Sequence, residues 1–284
     1  MISVANPDLA AEIDRNVAAA LAEDVGSGDL TAPLTPARRT TRAVVLCRND
    51  AVLCGQPWFD ACVRKLDARA VVTWLMAEGT RVAANSRVCE IQGAARALLT
   101  AERSALNFLQ LLTAVATEAR RYADAVAGTR ARIVDTRKTL PGLRLAQKYA
   151  VRTGGAGNHR IGLYDAMLIK ENHIAAAGGI RPALAVAGKN LPAGAWIQIE
   201  VETHDQLREA IDAGAKMILL DNMNPDEMRE AVRIAAGRVE LEASGGITLA
   251  NVRAIAETGV DRISIGSLTK DIKAADFSMR FVDS

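Results

Sequence analysis

The sequence is poor in aromatic residues and in the side chains that build soft metal sites. Only 4% of its 284 residues are aromatic, and it contains four cysteines and three histidines. Cys47, Cys54, Cys62 and Cys89 form no C-x-x-C pair, lie in or beside apolar runs, and are far along the chain from the histidines. We therefore expect buried free thiols in a reducing compartment rather than a metal cluster.

The sequence also lacks long apolar runs and a large excess of charge of either sign. No run approaches the roughly 18 residues that a membrane span requires. Acidic residues interrupt the N-terminal segment, which does not resemble a signal peptide. The net charge of +2 does not supply the wide basic face of a general nucleic-acid-binding protein. These absences predict a soluble, cytoplasmic protein with neither a membrane nor a nucleic acid as partner.

The first part of the chain mixes helical and strand patterns. Leu9, Ile13, Val17 and Leu21 recur at four-residue spacing, which predicts an amphipathic helix over residues 8–24. Short β-rich runs alternate with turn signals between residues 40 and 91, and a long helical pattern covers 94–126. We expect a small sheet with one or two helices over residues 1–112, to which residues 270–284 return.

From about residue 130, apolar strand-like runs alternate with helical patterns. The predicted strands cover residues 133–134, 167–169, 196–201, 217–220, 239–241 and 262–265. The predicted helices cover residues 143–151, 174–187, 204–213, 225–235 and 249–257. This alternation indicates an α/β fold with parallel strands and right-handed crossovers. About six such units fall short of the eight of a complete barrel, so we predict an open or incomplete (β/α) barrel over residues 113–269.

Polar residues and glycines follow the predicted strands at the point where each strand ends. They are Arg137, Lys138, Lys170, Glu200, Glu202, Asp221, Asn222, Ser244-Gly245-Gly246 and Gly266-Ser267. In a (β/α) barrel these strand ends converge on the face where active sites are built. Each residue taken alone could be a helix cap or a turn residue, but that reading does not explain why so many strand ends share the pattern.

These residues divide by chemical type into donors for carboxylates, oxygen ligands and phosphate-binding glycines. The donors are Arg137, His159, Arg160 and Lys170. The carboxylates of Glu200 and Asp221 suit Mg²⁺ together with the phosphates or ribose hydroxyls of a substrate. The glycines after the last two strands allow backbone N–H groups to approach a phosphate, with a helix predicted to begin at Leu249. The pattern predicts one substrate with carboxylates and another with phosphates and a metal.

Several blocks of the sequence resemble the quinolinate phosphoribosyltransferase family, and the resemblance spans nearly the whole chain. The blocks cover residues 23–31, 101–108 (AERSALNF), 135–142 (DTRKTLPG), 158–160 (NHR), 168–173 (LIKENH), 220–222 (LDN) and 244–247 (SGGI). The 135–142 and 168–173 blocks are highly specific. The resemblance implies an N-terminal α/β sandwich domain, an open α/β barrel, and a homodimer whose subunits complete each other's sites. The implied reaction converts quinolinate and phosphoribosyl pyrophosphate into nicotinate mononucleotide, pyrophosphate and CO₂, a step of NAD biosynthesis.

The resemblance also implies a role for individual residues. Quinolinate is expected to bind Arg103, Thr136, Arg137, His159, Arg160 and Lys170, with Arg103 supplied by the partner subunit. Phosphoribosyl pyrophosphate is expected to bind Lys138, Glu200, Asp221, Ser244, Gly245, Gly246, Gly266 and Ser267. The expected catalytic residues are Lys138, Glu200 and Asp221, and the last two are expected to hold the cofactor Mg²⁺, directly or through water. Assembly beyond the dimer stays open.

Other readings of the same residues remain. A related phosphoribosyltransferase could act on another ring such as nicotinate, although the abundance of cations favours a dicarboxylate. A barrel aldolase could use Lys138 or Lys170 as a Schiff-base amine. A basic RNA-binding module over residues 137–170 would need aromatic stacking residues, which are scarce there. Arg103 could be a solvated helix arginine, and Glu202 is expected to be structural.

Overall fold

The computed structural model describes residues 7–282, which divide into two compact units. The first unit contains the chain up to Arg120, residues 139–155, and the chain from Leu268 onward. The second contains residues 121–138 and 156–267. The segment 139–155 thus belongs to the first unit, whereas the predicted domains ran continuously through 1–112 and 113–269. No helix of the described residues is long and apolar enough to span a membrane.

Strands and helices of the first unit come mainly from the N-terminal part of the chain. In order they are α1 (Pro7–Val25), a 3₁₀ turn (Ala32–Leu34), β1 (Thr40–Cys47), β2 (Ala51–Val52), α2 (Gln56–Leu66), β3 (Val71–Trp74), β4 (Arg81–Val82), β5 (Ser86–Ala94) and α3 (Ala95–Ala125). The remaining elements are β6 (Arg132–Val134), α4 (Arg144–Thr153), β7 (Ala166–Ile169), α5 (Glu171–Ala177), α6 (Ile180–Lys189), β8 (Trp196–Val201), α7 (His204–Asp212), β9 (Met217–Asp221), α8 (Pro225–Ala235), β10 (Glu240–Ser244), α9 (Val252–Ala256), β11 (Arg262–Ser264), α10 (Ser267–Lys270) and β12 (Phe277–Phe281).

The first unit is an antiparallel sheet packed with helices. Its four strands run in the order β12-β1-β5-β3, so that the C-terminal strand β12 pairs with β1. Leu9 and Val17, on the predicted apolar stripe of α1, are buried, and Trp58 of α2 is fully buried against the ring of Tyr149. The four cysteines are free and buried, as predicted. A core of this kind stabilises the unit mainly by removing apolar surface from water.

The second unit is built on a six-stranded parallel sheet. Its strands run in the order β6-β11-β10-β9-β8-β7, with helices in the connections. Every hydrogen-bonded pair recorded in this sheet is parallel. Strands β6 and β7 stand at opposite ends of the strand order, so the barrel is open, as the sequence predicted. In a sheet of this topology the carboxyl ends of the strands share one edge.

Two predicted helices differ from those observed. The single helix predicted over 174–187 is wrong: α5 ends at Ala177 and α6 begins at Ile180. Gly178 and Gly179 separate them with φ values of 83° and 129°, which lie in the left-handed region that interrupts an α-helix. The helix predicted to begin at Leu249 starts at Val252 instead and has five residues.

Candidate active site

Side chains from neighbouring strands meet at the carboxyl edge of the parallel sheet. Glu200 lies near the end of β8, Asp221 ends β9, and Ser244 ends β10. In the sheet register Ser244 pairs with Asp221, and Glu200 pairs with Leu219 two residues before Asp221. Parallel pairing therefore brings two carboxylates and the start of the Ser-Gly-Gly segment to adjacent positions, as the sequence predicted for a barrel face.

An ion pair joins Lys170 to Glu200 across the β7–β8 boundary. Lys170 Nζ lies 3.0 Å from Glu200 Oε2, and Glu200 is only 9% exposed. Burial raises the pKa of the Glu200 carboxyl, the hydrogen bond and charge of Lys170 oppose that shift, and the negative charge of Asp221 adds to it. The pair thus places the half-exposed ammonium group of Lys170 beside the carboxylates at the ends of β8 and β9.

A second lysine lies against the glycine that follows β11. A Cβ atom at Gly266 would come 2.9 Å from Lys138 Cδ, 3.7 Å from Thr136 Oγ1 and 3.8 Å from Lys138 Nζ. The hydroxyl of Thr136 accepts a hydrogen bond from the Lys138 amide, at 3.0 Å, which bends the chain directly after β6. Ser267, the next residue, lies 3.5 Å from the hydroxyl of Tyr122. Thr136, Lys138, Gly266 and Ser267 are therefore neighbours.

The segment after β10 needs glycine because a side chain approaches it closely. Gly245 has φ of 100°, and a Cβ atom there would lie 2.1 Å from Asn222 Oδ1. Asn222 is itself left-handed, with φ of 54°, and its Nδ2 donates to Asp221 Oδ2 at 2.8 Å. Asn222 thus orients the Asp221 carboxylate and fixes the turn at Gly245, leaving backbone N–H groups beside it available to an anion.

Two arginines form the cationic part of the site. Arg160 Nη1 donates to the carbonyl of Ala166 at 3.1 Å. Burial lowers the pKa of the Arg160 guanidinium, and the nearby positive charge of Arg137 lowers it further. Like charges held close together are destabilised unless an anion lies between them. Two neighbouring guanidinium groups of this kind suit a negatively charged ligand, and the predicted quinolinate-binding role of Arg137 and Arg160 stays a prediction.

His159 lies deeper than the other predicted quinolinate ligands. It is 7% exposed, and its Nε2 is 2.8 Å from Gln198 Oε1. Its Nδ1 accepts the backbone N–H of Arg160 at 2.8 Å, and its own backbone N–H donates to the fully buried Asp135 at 2.8 Å. Both ring nitrogens thus have protein partners, so that the imidazole contacts the site through Arg160.

One predicted site residue, Arg103, lies on α3 within the first unit, whereas the other predicted residues all belong to the second. Arg103 is exposed. Its predicted role, in the site of a partner subunit, stays a prediction. Glu202 is also exposed, and its backbone N–H donates to Gln206 Oε1 at 2.8 Å. The structural role expected for its side chain stays a prediction.

The sequence did not reveal the polar residues beneath this edge. Gln198 and Glu242 are buried, and Arg262 lies beside Glu242 with Nε 3.1 Å from its Oε2. A signal was present, because Gln198 precedes Glu200 by two residues and Glu242 precedes Ser244 by two. Residues two apart in a strand point to the same face, so the inward face of the barrel continues below the site.

Metal binding at this edge would rest on Glu200 and Asp221. Residues 7–282 contain no group of three or more His, Cys, Asp or Glu side chains that could hold a metal by themselves. Mg²⁺ commonly binds through one or two carboxylates, with waters and substrate phosphates completing its shell. The two carboxylates on adjacent strands fit an Mg²⁺ ion of that kind, which would bind together with a phosphorylated substrate.

Comparisons with known proteins agree on one family. Residues 115–280 match the family model "Quinolinate phosphoribosyl transferase, C-terminal domain", and residues 29–113 match the corresponding N-terminal domain. A Bacillus subtilis protein described as a probable nicotinate-nucleotide pyrophosphorylase (carboxylating) is 40% identical over 257 residues, covering 90% of this chain and 89% of that protein.

Solved structures show the same fold. The nicotinate-nucleotide pyrophosphorylase of Francisella tularensis superposes with a TM-score of 0.93 at 45% identity, covering 96% of each chain. The human nicotinic acid phosphoribosyltransferase has a TM-score of 0.65 at 13% identity, covering 95% of this chain and 74% of that one, a likeness of fold alone. The predicted enzyme class is confirmed, and the chain belongs to the quinolinate phosphoribosyltransferase family.

Proposed function

We propose that this chain transfers the phosphoribosyl group of phosphoribosyl pyrophosphate to quinolinate, releasing pyrophosphate and CO₂ and forming nicotinate mononucleotide. One observation carries the assignment of roles. The strand ends of the second unit hold a pair of neighbouring arginines, Arg137 and Arg160, and a separate carboxylate pair, Glu200 and Asp221. Cations suit a dicarboxylate, whereas carboxylates suit a sugar that develops positive charge.

Quinolinate would bind at Arg137 and Arg160, with Lys170 and Thr136 at the edge of this subsite. The pKa of the Arg160 guanidinium is lowered first by burial and then by the positive charge of Arg137, while Asp165 opposes the shift. Two adjacent carboxylates on a pyridine ring would neutralise the repulsion between the two guanidinium groups, and a guanidinium can grip a carboxylate with two parallel hydrogen bonds. Nicotinate, with one carboxylate, would neutralise only half of the charge.

Phosphoribosyl pyrophosphate would bind along the carboxylate side. Loss of pyrophosphate leaves positive charge at the anomeric carbon, which Glu200 and Asp221 would stabilise from below the ribose. Lys138 would contact the departing pyrophosphate, and the backbone at Ser244–Gly246 and Gly266-Ser267 would hold the 5′-phosphate. A Mg²⁺ ion held by Glu200 and Asp221 would supply charge neutralisation for the phosphates.

Decarboxylation follows from the charge created by the first step. Once the pyridine nitrogen carries the ribose it is cationic, so the electron pair left by CO₂ lies next to a positive charge. A proton then replaces the lost carboxylate on the ring carbon. This route needs no covalent nucleophile on the enzyme, which separates it from the aldolase reading of Lys138 or Lys170. Borohydride treatment with a ketose should therefore give no adduct.

Substrate choice is the direct test of this function. Purified protein should consume quinolinate with phosphoribosyl pyrophosphate and Mg²⁺, whereas turnover of nicotinate alone would refute the assignment. Arg137→Ala should weaken quinolinate binding by about 2–5 kcal/mol, the cost of removing one partner of a buried charge pair. Arg181→Ala, on the exposed surface of α6 in the same unit, is the matched control and should bind quinolinate normally. An effect of Arg137→Ala confined to phosphoribosyl pyrophosphate would contradict the role given to Arg137.

The active form would be a homodimer with shared sites. Arg103 is exposed on the first unit, and the edge strand β7 of the second carries a cavity of about 380 Å³ lined mainly by apolar residues, with Arg160, His173 and Asn190 among them. Leu163 and Tyr164 beside that cavity are 73% and 74% exposed. An uncovered edge strand with apolar neighbours is a surface that proteins usually bury against another chain.

Mixing two inactive variants tests this sharing. Arg103→Ala and Lys138→Ala proteins should each lose activity alone. In a mixed two-fold dimer, one site would receive both intact residues and the other neither, so random exchange of equal amounts should recover about a quarter of the wild-type activity. Subunit exchange would be verified by mass spectrometry, and verified exchange without recovery would refute sharing of the sites.

A further inference from the structure

Buried polar side chains lie inside the second unit, two residues before the candidate active-site residues on the same strands. Gln198 of β8 and Glu242 of β10 are 0% and 1% exposed. Each precedes a strand-end residue of the site by two positions, Gln198 before Glu200 and Glu242 before Ser244, and therefore shares its face of the sheet. Burying polar groups such as these lowers the stability of the fold unless their donors find acceptors. The partners of Gln198 and Glu242 therefore matter.

The hydrogen bonds form a chain with one direction. Gln198 Nε2 donates to Glu242 Oε2 at 3.1 Å, and Gln198 Oε1 lies 2.8 Å from His159 Nε2. A carboxylate can only accept, so it turns the amide NH₂ of Gln198 toward itself and the amide oxygen toward the histidine. His159 Nε2 must then carry the hydrogen, which leaves a lone pair on Nδ1 for the backbone N–H of Arg160, at 2.8 Å.

Glu242 has its own counterion. Arg262 Nε lies 3.1 Å from Glu242 Oε2, and the guanidinium stands over the ring of Trp196 with 5.7 Å to the centroid. The side chains of Glu242 and Arg262 are 1% and 13% exposed. Burying a carboxylate is costly without such a partner. Arg262 is thus the counterion of the carboxylate that accepts the hydrogen bond of Gln198.

We propose that Glu242 and Gln198 are positioning residues, which act on quinolinate through His159 and Arg160. Together with the backbone N–H of Arg160, they fix the Nε2–H tautomer of His159, and that tautomer holds the backbone of Arg160 beside the proposed subsite. The assignment to quinolinate rests on the proposed function above. The tautomer itself is a property of the ligand-free protein and does not depend on that function.

Glu242→Gln tests the chain of hydrogen bonds. Glutamine at 242 can donate as well as accept, so Gln198 can rotate its amide and turn an N–H donor toward His159 Nε2. The Nε2–H group then loses its acceptor, and only the backbone N–H of Arg160 still favours that tautomer. Nitrogen-15 NMR of the imidazole groups reads the tautomer, and the chain has only three histidines to assign, with His173→Gln and His204→Gln identifying the other two. We expect a mixture of tautomers at His159 and about a tenfold rise in the quinolinate KM, the effect of one displaced hydrogen bond, with the phosphoribosyl pyrophosphate KM unchanged.

A matched control and a rescue separate positioning from loss of stability. Glu240→Gln removes the same charge two residues earlier on β10, 3.8 Å from Arg262 Nε but exposed, and should leave the His159 tautomer and both KM values unchanged. The double variant Gln198→Glu/Glu242→Gln reverses the two groups. Glutamate at 198 can only accept from His159 and from Gln at 242, so the double variant should restore the tautomer and lower the quinolinate KM again.

Three outcomes would overturn the proposal. They are an unchanged tautomer in Glu242→Gln, a raised quinolinate KM without any change of tautomer, and a double variant whose tautomer stays mixed. If Glu242→Gln does not fold, the tautomer of the double variant decides alone. If wild-type protein fails to consume quinolinate while the NMR results hold, the proposed function fails and the hydrogen-bond chain stands.

Discussion

Gly266→Ala is expected to damage phosphoribosyl pyrophosphate use while leaving the fold intact. The backbone at Gly266 lies outside the left-handed region, so alanine is allowed there. The new Cβ would stand 2.9 Å from Lys138 Cδ, whereas carbon atoms in contact prefer about 3.5–4.0 Å. Lys138 is exposed and flexible, so its side chain can retreat by roughly 0.6–1 Å at little cost in stability.

The cost should appear in catalysis, because Lys138 is the proposed contact of the departing pyrophosphate. A misplacement of about 1 Å can lower a rate by up to about a hundredfold. We therefore expect kcat/KM for phosphoribosyl pyrophosphate to fall about 10–100-fold, which corresponds to roughly 1.4–2.7 kcal/mol of transition-state stabilisation. The free energy of unfolding should stay unchanged or rise by up to about 1 kcal/mol, since alanine restricts the unfolded chain.

Steady-state kinetics and urea unfolding on the same preparations provide the measurement. Gly188→Ala is the matched control, because Gly188 lies within helix α6 and a Cβ atom there would meet nothing within 4 Å. It should gain about 0.5–1 kcal/mol of stability and keep wild-type kinetics. Wild-type kinetics in Gly266→Ala would refute the reasoning, as would an equal loss in Gly188→Ala.

Two further predictions concern stability and pH. Gly154→Ala should lower the free energy of unfolding by about 2–4 kcal/mol, measured by urea titration. The new Cβ would come 2.3 Å from the backbone oxygen of Ala116, which cannot move freely. A loss of stability smaller than that of a typical surface substitution would contradict this packing. Burial raises the pKa of Glu200, so kcat/KM should begin to fall, as pH decreases, above the ordinary glutamate range. The same shift makes the folded state hold this proton more tightly than the unfolded chain, so the stability that the proton contributes is present at low pH and is lost as pH rises through the raised pKa. A pH–rate profile whose acid limb lies at or below the ordinary glutamate pKa would refute the predicted pH dependence of kcat/KM.

The regular elements were predictable where local signals agreed with one another. Helix α8 begins and ends at the predicted residues because Asn224 caps it, Pro225 occupies its first turn and Glu227 completes the capping box. Strand β8 also has its predicted bounds. The break at Gly178 and Gly179 was missed because the apolar spacing continues across it. Hydrophobic periodicity does not reveal that two residues adopt a positive φ.

The edge of the site was predictable from topology, since the carboxyl ends of parallel strands meet wherever the helices lie. The layer beneath it was not. Glu240-Leu241-Glu242-Ala243 alternates polar and apolar residues, a pattern typical of a strand with one face in water. Only curvature of the whole sheet encloses the polar face, and Glu242 becomes buried whereas Glu240 stays exposed.

Enclosure of the polar face constrains the positions of the side chains at the strand ends. Glu200 and Gln198 share one face of β8, as Ser244 and Glu242 share one face of β10, so each strand carries a site residue and an interior residue in fixed register. The interior residues cannot satisfy their hydrogen bonds by turning to water, and therefore hold a single arrangement. Two hydrogen bonds of 2.8 Å connect these interior residues to the site, one between Gln198 and His159 and one between His159 and the backbone of Arg160. If His159 and Arg160 serve quinolinate as proposed, substitutions that exchange donor for acceptor in the barrel interior should raise the quinolinate KM before they lower the free energy of unfolding.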